Sequence, residues 1–103
     1  MSTSFNYKHL YYFWVVAKEG GISRAADKLD MAVQTVSAQV RELERSLGCE
    51  LLKPAGRGLT LTDAGMAAMQ QADAIFQLGE ELPSRVRDAM SAPVIRLRLG
   101  ISD

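Results

Sequence analysis

One histidine, His9, and one cysteine, Cys49, are the only residues of their kinds in this 103-residue chain. They are far apart in sequence, and with the scattered carboxylates they form no nucleophile–base arrangement. The twelve Asp and Glu residues are scattered and form no paired-acid motif. A metal cage of Cys and His has almost nothing to be built from. These residues predict no enzyme, no cofactor and no metal. A single cysteine forms no internal disulfide, which fits a reducing compartment.

The chemistry that remains lies on a helix face. In "VQTVSAQVRELERSLG" the apolar residues Val36, Val40, Leu43 and Leu47 step by four, three and four, a buried helical stripe. At about 100° per residue, the opposite face centres on Gln34, Ala38, Arg41 and Arg45, flanked by Thr35, Ser37 and Glu42. Small side chains permit close approach, amides and hydroxyls pair with base edges, and arginines pair with phosphate or guanine. Such a face suits a DNA groove. The same pattern also fits an ordinary amphipathic helix with a solvated side.

Composition limits the other possibilities. Hydrophobic residues make up 48% of the chain and charged ones 23%, which describes a globular chain with a core. Net charge is zero, which counts against a non-specific nucleic-acid coat. The halves differ only slightly. Residues 1–60 hold eight Lys and Arg against six Asp and Glu, and residues 61–103 hold four against six. Contact with nucleic acid would have to come from a few placed residues. No apolar run approaches the roughly 20 residues of a membrane span, and no signal-peptide pattern is present. A cytoplasmic location and no membrane partner are expected.

The elements that would position this face follow from caps and turns. Asn6 caps a first helix carrying Leu10, Phe13, Trp14 and Ala17 at helical spacing, and "EGG" at Glu19–Gly21 stops it. Its aromatics, Tyr7, Tyr11, Tyr12, Phe13 and Trp14, read as core; a stacking platform for single strands would need several of them exposed. Ser23 is the expected cap of a short second helix, "RAADKL", with Ala25, Ala26 and Leu29 on its thin apolar face. The third helix restarts near Val33, after a break around Asp30, and ends at Gly48. Ala32 offers no capping side chain there. Either Asp30 caps instead, or this helix begins with unusual contacts. A Ser or Thr at Ala32 would typically add about 1 kcal/mol.

Two helices joined by a short turn make a helix-turn-helix. In "ELLKPAGRGLTLT", residues Glu50–Thr62, the turn "PAGRG" joins two short apolar runs into a β-hairpin with Arg57 near its tip. A hairpin placed there is a wing, and Lys53 and Arg57 could reach phosphate or a narrow minor groove. Thr62 and Asp63 then open a long helix to about Met90. Gly65, Ala68, Ala72, Ile75, Gly79, Leu82 and Val86 form its candidate seam in an approximate heptad. Pro83 predicts a kink or break near Leu82. "VIRLRLGIS" from Val94 alternates like a strand that has no partner in the chain.

The ordered set "LYYF", "ISRAADKL", "VSAQVRELERSLG" and "ELLKPAGRGLTLTDAG", followed by a long helix, resembles the N-terminal domain of the LysR-type transcriptional regulators. The run "NYKHLYYFW" is further similar to the branch containing a sodium-responsive antiporter regulator. The resemblance implies a mainly α winged helix-turn-helix, three helices plus a hairpin, over residues 1–61. A linker and dimerisation helix would cover 62–90, and a hinge and the start of a C-terminal effector domain 91–103.

It also implies a homodimer on double-stranded DNA, at an imperfect palindrome near a promoter. A tetramer would require the effector domain, and RNA polymerase would be a further partner. By position, the base and phosphate contacts fall on Ala32, Val33, Gln34, Ser37, Ala38, Arg41 and Arg57, and Thr35, Arg45 and Lys53 complete the candidate DNA-binding set. The dimer seam falls on Gly65, Ala68, Ala72, Ile75, Gly79, Leu82 and Val86. Several positions depart from the family pattern. Ala32 replaces a frequent Ser or Thr, Val33-Gln34 a frequent Gln-Pro, and Ala38 and Pro54 frequent arginines. The alternative reading is a winged-helix protein-interaction or dimerisation module that binds no DNA.

Overall fold

The computed structural model describes residues 4–91. Asn6 has extended backbone, and its Oδ1 accepts the amides of Lys8 and His9 at 2.7 and 3.4 Å. That side chain starts α1 (Tyr7–Glu19), which ends where Gly20 turns left-handed at φ 82°. Helix α1 buries Leu10, Phe13, Trp14, Val15 and Val16. Phe13 and Trp14 are thus core, while Tyr7 and Tyr11 remain exposed.

Helix α2 (Ile22–Leu29) begins one residue before the expected Ser23 cap. Gly21 is its N-cap and no side chain bonds there. Ala25 and Ala26 are buried, small enough to let the neighbouring helices pack closely. The turn that follows is built on Asp30, the only non-glycine residue with positive φ (57°) among those described. Its amide donates back to Ala26 and Asp27, and that of Met31 to Ala26 at 2.9 Å. Asp30 therefore closes α2 and does not cap the next helix.

Helix α3 (Val33–Leu47) starts on backbone alone. The Ala32 carbonyl accepts from Thr35 and Val36 at 3.1 Å each, and no side chain caps it. Val36, Val40 and Leu43 are buried as the stripe predicts. Leu47 is a correction: it is 37% exposed, at the very end of the helix, just before the left-handed Gly48 turns the chain away. Phe13, Val16, Val36, Leu43 and Leu51 are the largest fully buried side chains, each stabilising the fold by about 1.5–3 kcal/mol through burial.

Strands β1 (Leu52–Ala55) and β2 (Gly58–Leu61) pair antiparallel, Leu52 opposite Leu61 and Ala55 opposite Gly58. Gly56 and Arg57 form the two-residue turn, with Gly56 at φ 61°. Helix α4 (Asp63–Ser91) follows at once. The Thr62 hydroxyl accepts the Gly65 amide at 2.9 Å and donates to the Glu50 carbonyl at 2.7 Å, so it caps the helix and ties it to the wing root.

Helix α4 runs through Pro83 without the break expected at Leu82. Proline removes one donor, and the carbonyl it orphans belongs to Gly79, on an exposed turn that is open to solvent. The described residues form two compact units that part between Asp73 and Ala74. The first thus extends beyond the hairpin into α4. The second presents an exposed row of Leu78, Leu82, Val86 and Met90. The strand expected from Val94, and with it the hinge, lies outside the described residues.

Candidate nucleic-acid interface

The face of α3 opposite the core stripe is open. Ala32, Val33, Gln34, Thr35, Ala38, Arg41 and Arg45 are exposed and Ser37 is half-buried. Arg45 is engaged by Glu42 three residues earlier, an exposed ion pair that offsets its charge. Arg41 has no carboxylate within ion-pair distance among the described residues, nor have Lys53 and Arg57, both exposed on the wing. The residues predicted from the helical period therefore share one side of α3. Arg41 is its cation free of a counter-charge.

The wing root is fixed from two directions. Glu44 accepts the amides of Leu51 and Leu52, and Thr62 bonds Leu51 and Glu50. The wing's second strand also lies beside the corner between α1 and α2. A Cβ built on Gly58 would stand 3.8 Å from the Gly20 carbonyl oxygen. Between them opens a cleft of about 640 Å³, lined at its edges by Ser23, Arg24 and Arg57. Arg24 is exposed and, like Arg57, has no ion-pair partner among the described residues. The sequence reading passed over Arg24. The cue was its place at the start of the second helix, but its meeting with Arg57 is set by the wing folding back.

The residues of the seam expected along α4 differ in burial. Gly65 and Ala72 are buried inside the first unit. Gly65 lies against the backbone of Leu51, and Ala72 is fully enclosed within the same unit. Ala68 and Ile75 are half-buried, and Gly79, Leu82 and Val86 are exposed.

Among the described residues no group of His, Cys, Asp and Glu could hold a metal ion. No helix there is long and apolar enough to cross a membrane. Cys49 is exposed and reduced.

Three helices, the last two joined by a three-residue turn, with a two-stranded hairpin after them, define a winged helix-turn-helix. The family described as "Bacterial regulatory helix-turn-helix protein, lysR family" matches residues 7–66, and the chain belongs to that family. It is 44% identical over 77 residues to the transcriptional activator protein NhaR of Escherichia coli, covering 75% of this chain and 26% of NhaR. It thus spans about a quarter of that relative's length. Among solved structures, the BenM DNA-binding domain on its catB site 1 DNA superposes with a TM-score of 0.79 at 31% identity, covering 85% of this chain and 98% of that one. The CbnR DNA-binding domain in its DNA complex gives 0.74 at 34% identity, covering 84% and 99%.

Proposed function

We propose that this chain is the sequence-specific DNA-binding domain of a bacterial transcriptional regulator, acting as a homodimer on an imperfect palindrome. The observation that carries this reading is the outward face of α3. It sets Gln34, Ser37 and Ala38 beside an uncompensated Arg41, while the wing carries Lys53 and Arg57. Inserted in the major groove, Gln34 pairs with adenine, Arg41 with guanine or phosphate, and Ala38 packs on a thymine methyl. Val33, exposed at the first turn, offers a second apolar contact. Arg24 and Arg57, across their shared cleft, hold the phosphate backbone.

Dimerisation supplies the specificity that one module lacks. Each bidentate base contact discriminates by about 1–3 kcal/mol, so two modules on a two-fold site double the readout. The row Leu78, Leu82, Val86 and Met90 gives the second unit an apolar edge at steps of four, suited to a partner helix. The length of the relatives supports an effector domain beyond this chain. That domain carries co-inducer sensing, further assembly and contact with RNA polymerase. The shared family supports a cytoplasmic location and a regulatory rather than enzymatic role.

Selection from a random duplex pool tests the proposal. Bound sequences enriched for a dyad, with half-sites whole turns apart, are the expected result. An unenriched pool refutes it.

A further inference from the structure

Glu44 belongs to neither the buried stripe of α3 nor its polar face, yet both its main chain and its side chain bond the backbone that follows the helix. Its main-chain carbonyl accepts the amides of Gly48 at 2.8 Å and Cys49 at 3.2 Å. Its carboxylate Oε2 accepts those of Leu51 at 2.8 Å and Leu52 at 3.3 Å. One residue thus takes four donors from the short stretch that leads off α3 and becomes β1. No cation pairs with this carboxylate among the described residues. Its charge is directed at the two amides, a charge-assisted arrangement stronger than a neutral one.

The other bonds at the wing root run to the start of α4. Thr62 donates to the Leu51 carbonyl through its amide and to the Glu50 carbonyl through its hydroxyl. Leu51 itself is fully buried. These contacts secure the hairpin to the body of the domain, and they remain when Glu44 is altered. Among the described residues, Glu44 is the one whose side chain hydrogen-bonds the root of the wing to α3. A four-residue strand is a lever of about 13 Å. A rotation of roughly 15° at its root carries Arg57 by more than 3 Å, beyond the tolerance of a hydrogen bond to phosphate.

We propose that Glu44 is a positioning residue for DNA recognition: its carboxylate sets where Lys53 and Arg57 stand relative to Gln34, Ser37 and Arg41. The proposal rests on the DNA-binding reading above. It predicts that Arg57 contributes to binding only when Glu44 holds the wing.

A double-mutant cycle on the 103-residue chain tests it. Wild type, Glu44→Ala, Glu44→Gln, Arg57→Ala and the Glu44→Ala/Arg57→Ala pair are titrated against a random duplex and a duplex selected by the wild type, across a salt series. Arg57→Ala alone weakens binding by about tenfold and lowers the log–log salt slope by about one per wing. Glu44→Ala, with helical content unchanged by circular dichroism, reproduces both changes. Adding Arg57→Ala to it then costs less than about twofold, since the contact is already lost. Glu44→Gln, which keeps one carbonyl acceptor, restores most of the affinity.

A folded Glu44→Ala variant with the wild-type salt slope overturns the proposal, as does an Arg57→Ala effect that multiplies undiminished in that background. Should Glu44→Ala fail to fold, the cycle is read in Glu44→Asp, whose carboxylate is one methylene short of the Leu51 and Leu52 amides, and full additivity there overturns the proposal. Failure of the DNA-binding reading is distinguishable, because it shows in the wild type, as an absence of binding, before any variant is compared.

Discussion

The α-carbon of Gly65 lies against the carbonyl of Leu51, so that a Cβ on residue 65 would overlap the oxygen and stand 3.2 Å from Leu61 Cδ2. The first turn of α4 thereby packs directly on the backbone of the wing root. Gly79, in the same helix, has nothing within 4 Å of its notional Cβ. Alanine at the two positions should act in opposite directions. Gly65→Ala forces backbone apart and should destabilise the domain by about 2–3 kcal/mol, lowering its melting temperature by roughly 10–20 °C. Gly79→Ala should stabilise the helix by about 1 kcal/mol. Thermal unfolding followed by circular dichroism measures both.

The indole N–H of Trp14 donates to Asp73 Oδ1 at 2.7 Å, joining α1 to α4 at the edge of the first unit. Asp73→Ala removes a charged acceptor from a part-buried bond and should cost about 1.5–3 kcal/mol. Asp73→Asn keeps an oxygen acceptor and should cost less. Trp14 is the only tryptophan in the chain, so urea unfolding read by its fluorescence reports the change directly.

The exposed row on the second unit predicts where association fails. Glutamate at Leu82 places a charge in the middle of Leu78, Val86 and Met90. The Leu82→Glu chain should sediment as a monomer at concentrations of tens of micromolar where the wild type should be a dimer, because burying an unpaired charge outweighs the apolar gain. Gly65→Ala offers no such test, since residue 65 is inside its own domain.

Much of this fold is legible in the chain because its punctuation is local. Asn6 reaches amides two and three residues away, and Gly20, Gly48 and Gly56 adopt positive φ where the sequence places stops and a turn. The recognition face follows from the helical period alone.

What escaped notice depends on contacts between distant segments. Ser23 satisfies the local rule for a cap, yet the cap of α2 falls two residues earlier, on Gly21. Leu47 keeps the apolar period but lies beyond the reach of the core. Gly65 and Ala72 fit a heptad equally well whether they face a partner or their own domain; both are buried in the first unit, Gly65 against the wing root. Pro83 passes without ending the helix because its orphaned carbonyl is exposed. Arg24 and Glu44 show no pattern in sequence. The first acquires its meaning when the wing returns to the α1–α2 corner, the second when the chain reverses after Gly48.

The central claim is that α3 reads DNA through its outward face, and Arg41 tests it most directly. Fluorescence anisotropy should compare wild type and Arg41→Ala on the selected duplex and on a scrambled one, at several salt concentrations. The wild type should prefer the selected duplex. Arg41→Ala should reduce that preference by about 1–3 kcal/mol if the guanidinium contacts guanine, or lower the salt slope by about one per half-site if it contacts phosphate. Equal binding of wild type and Arg41→Ala to both duplexes at every salt concentration would contradict the account.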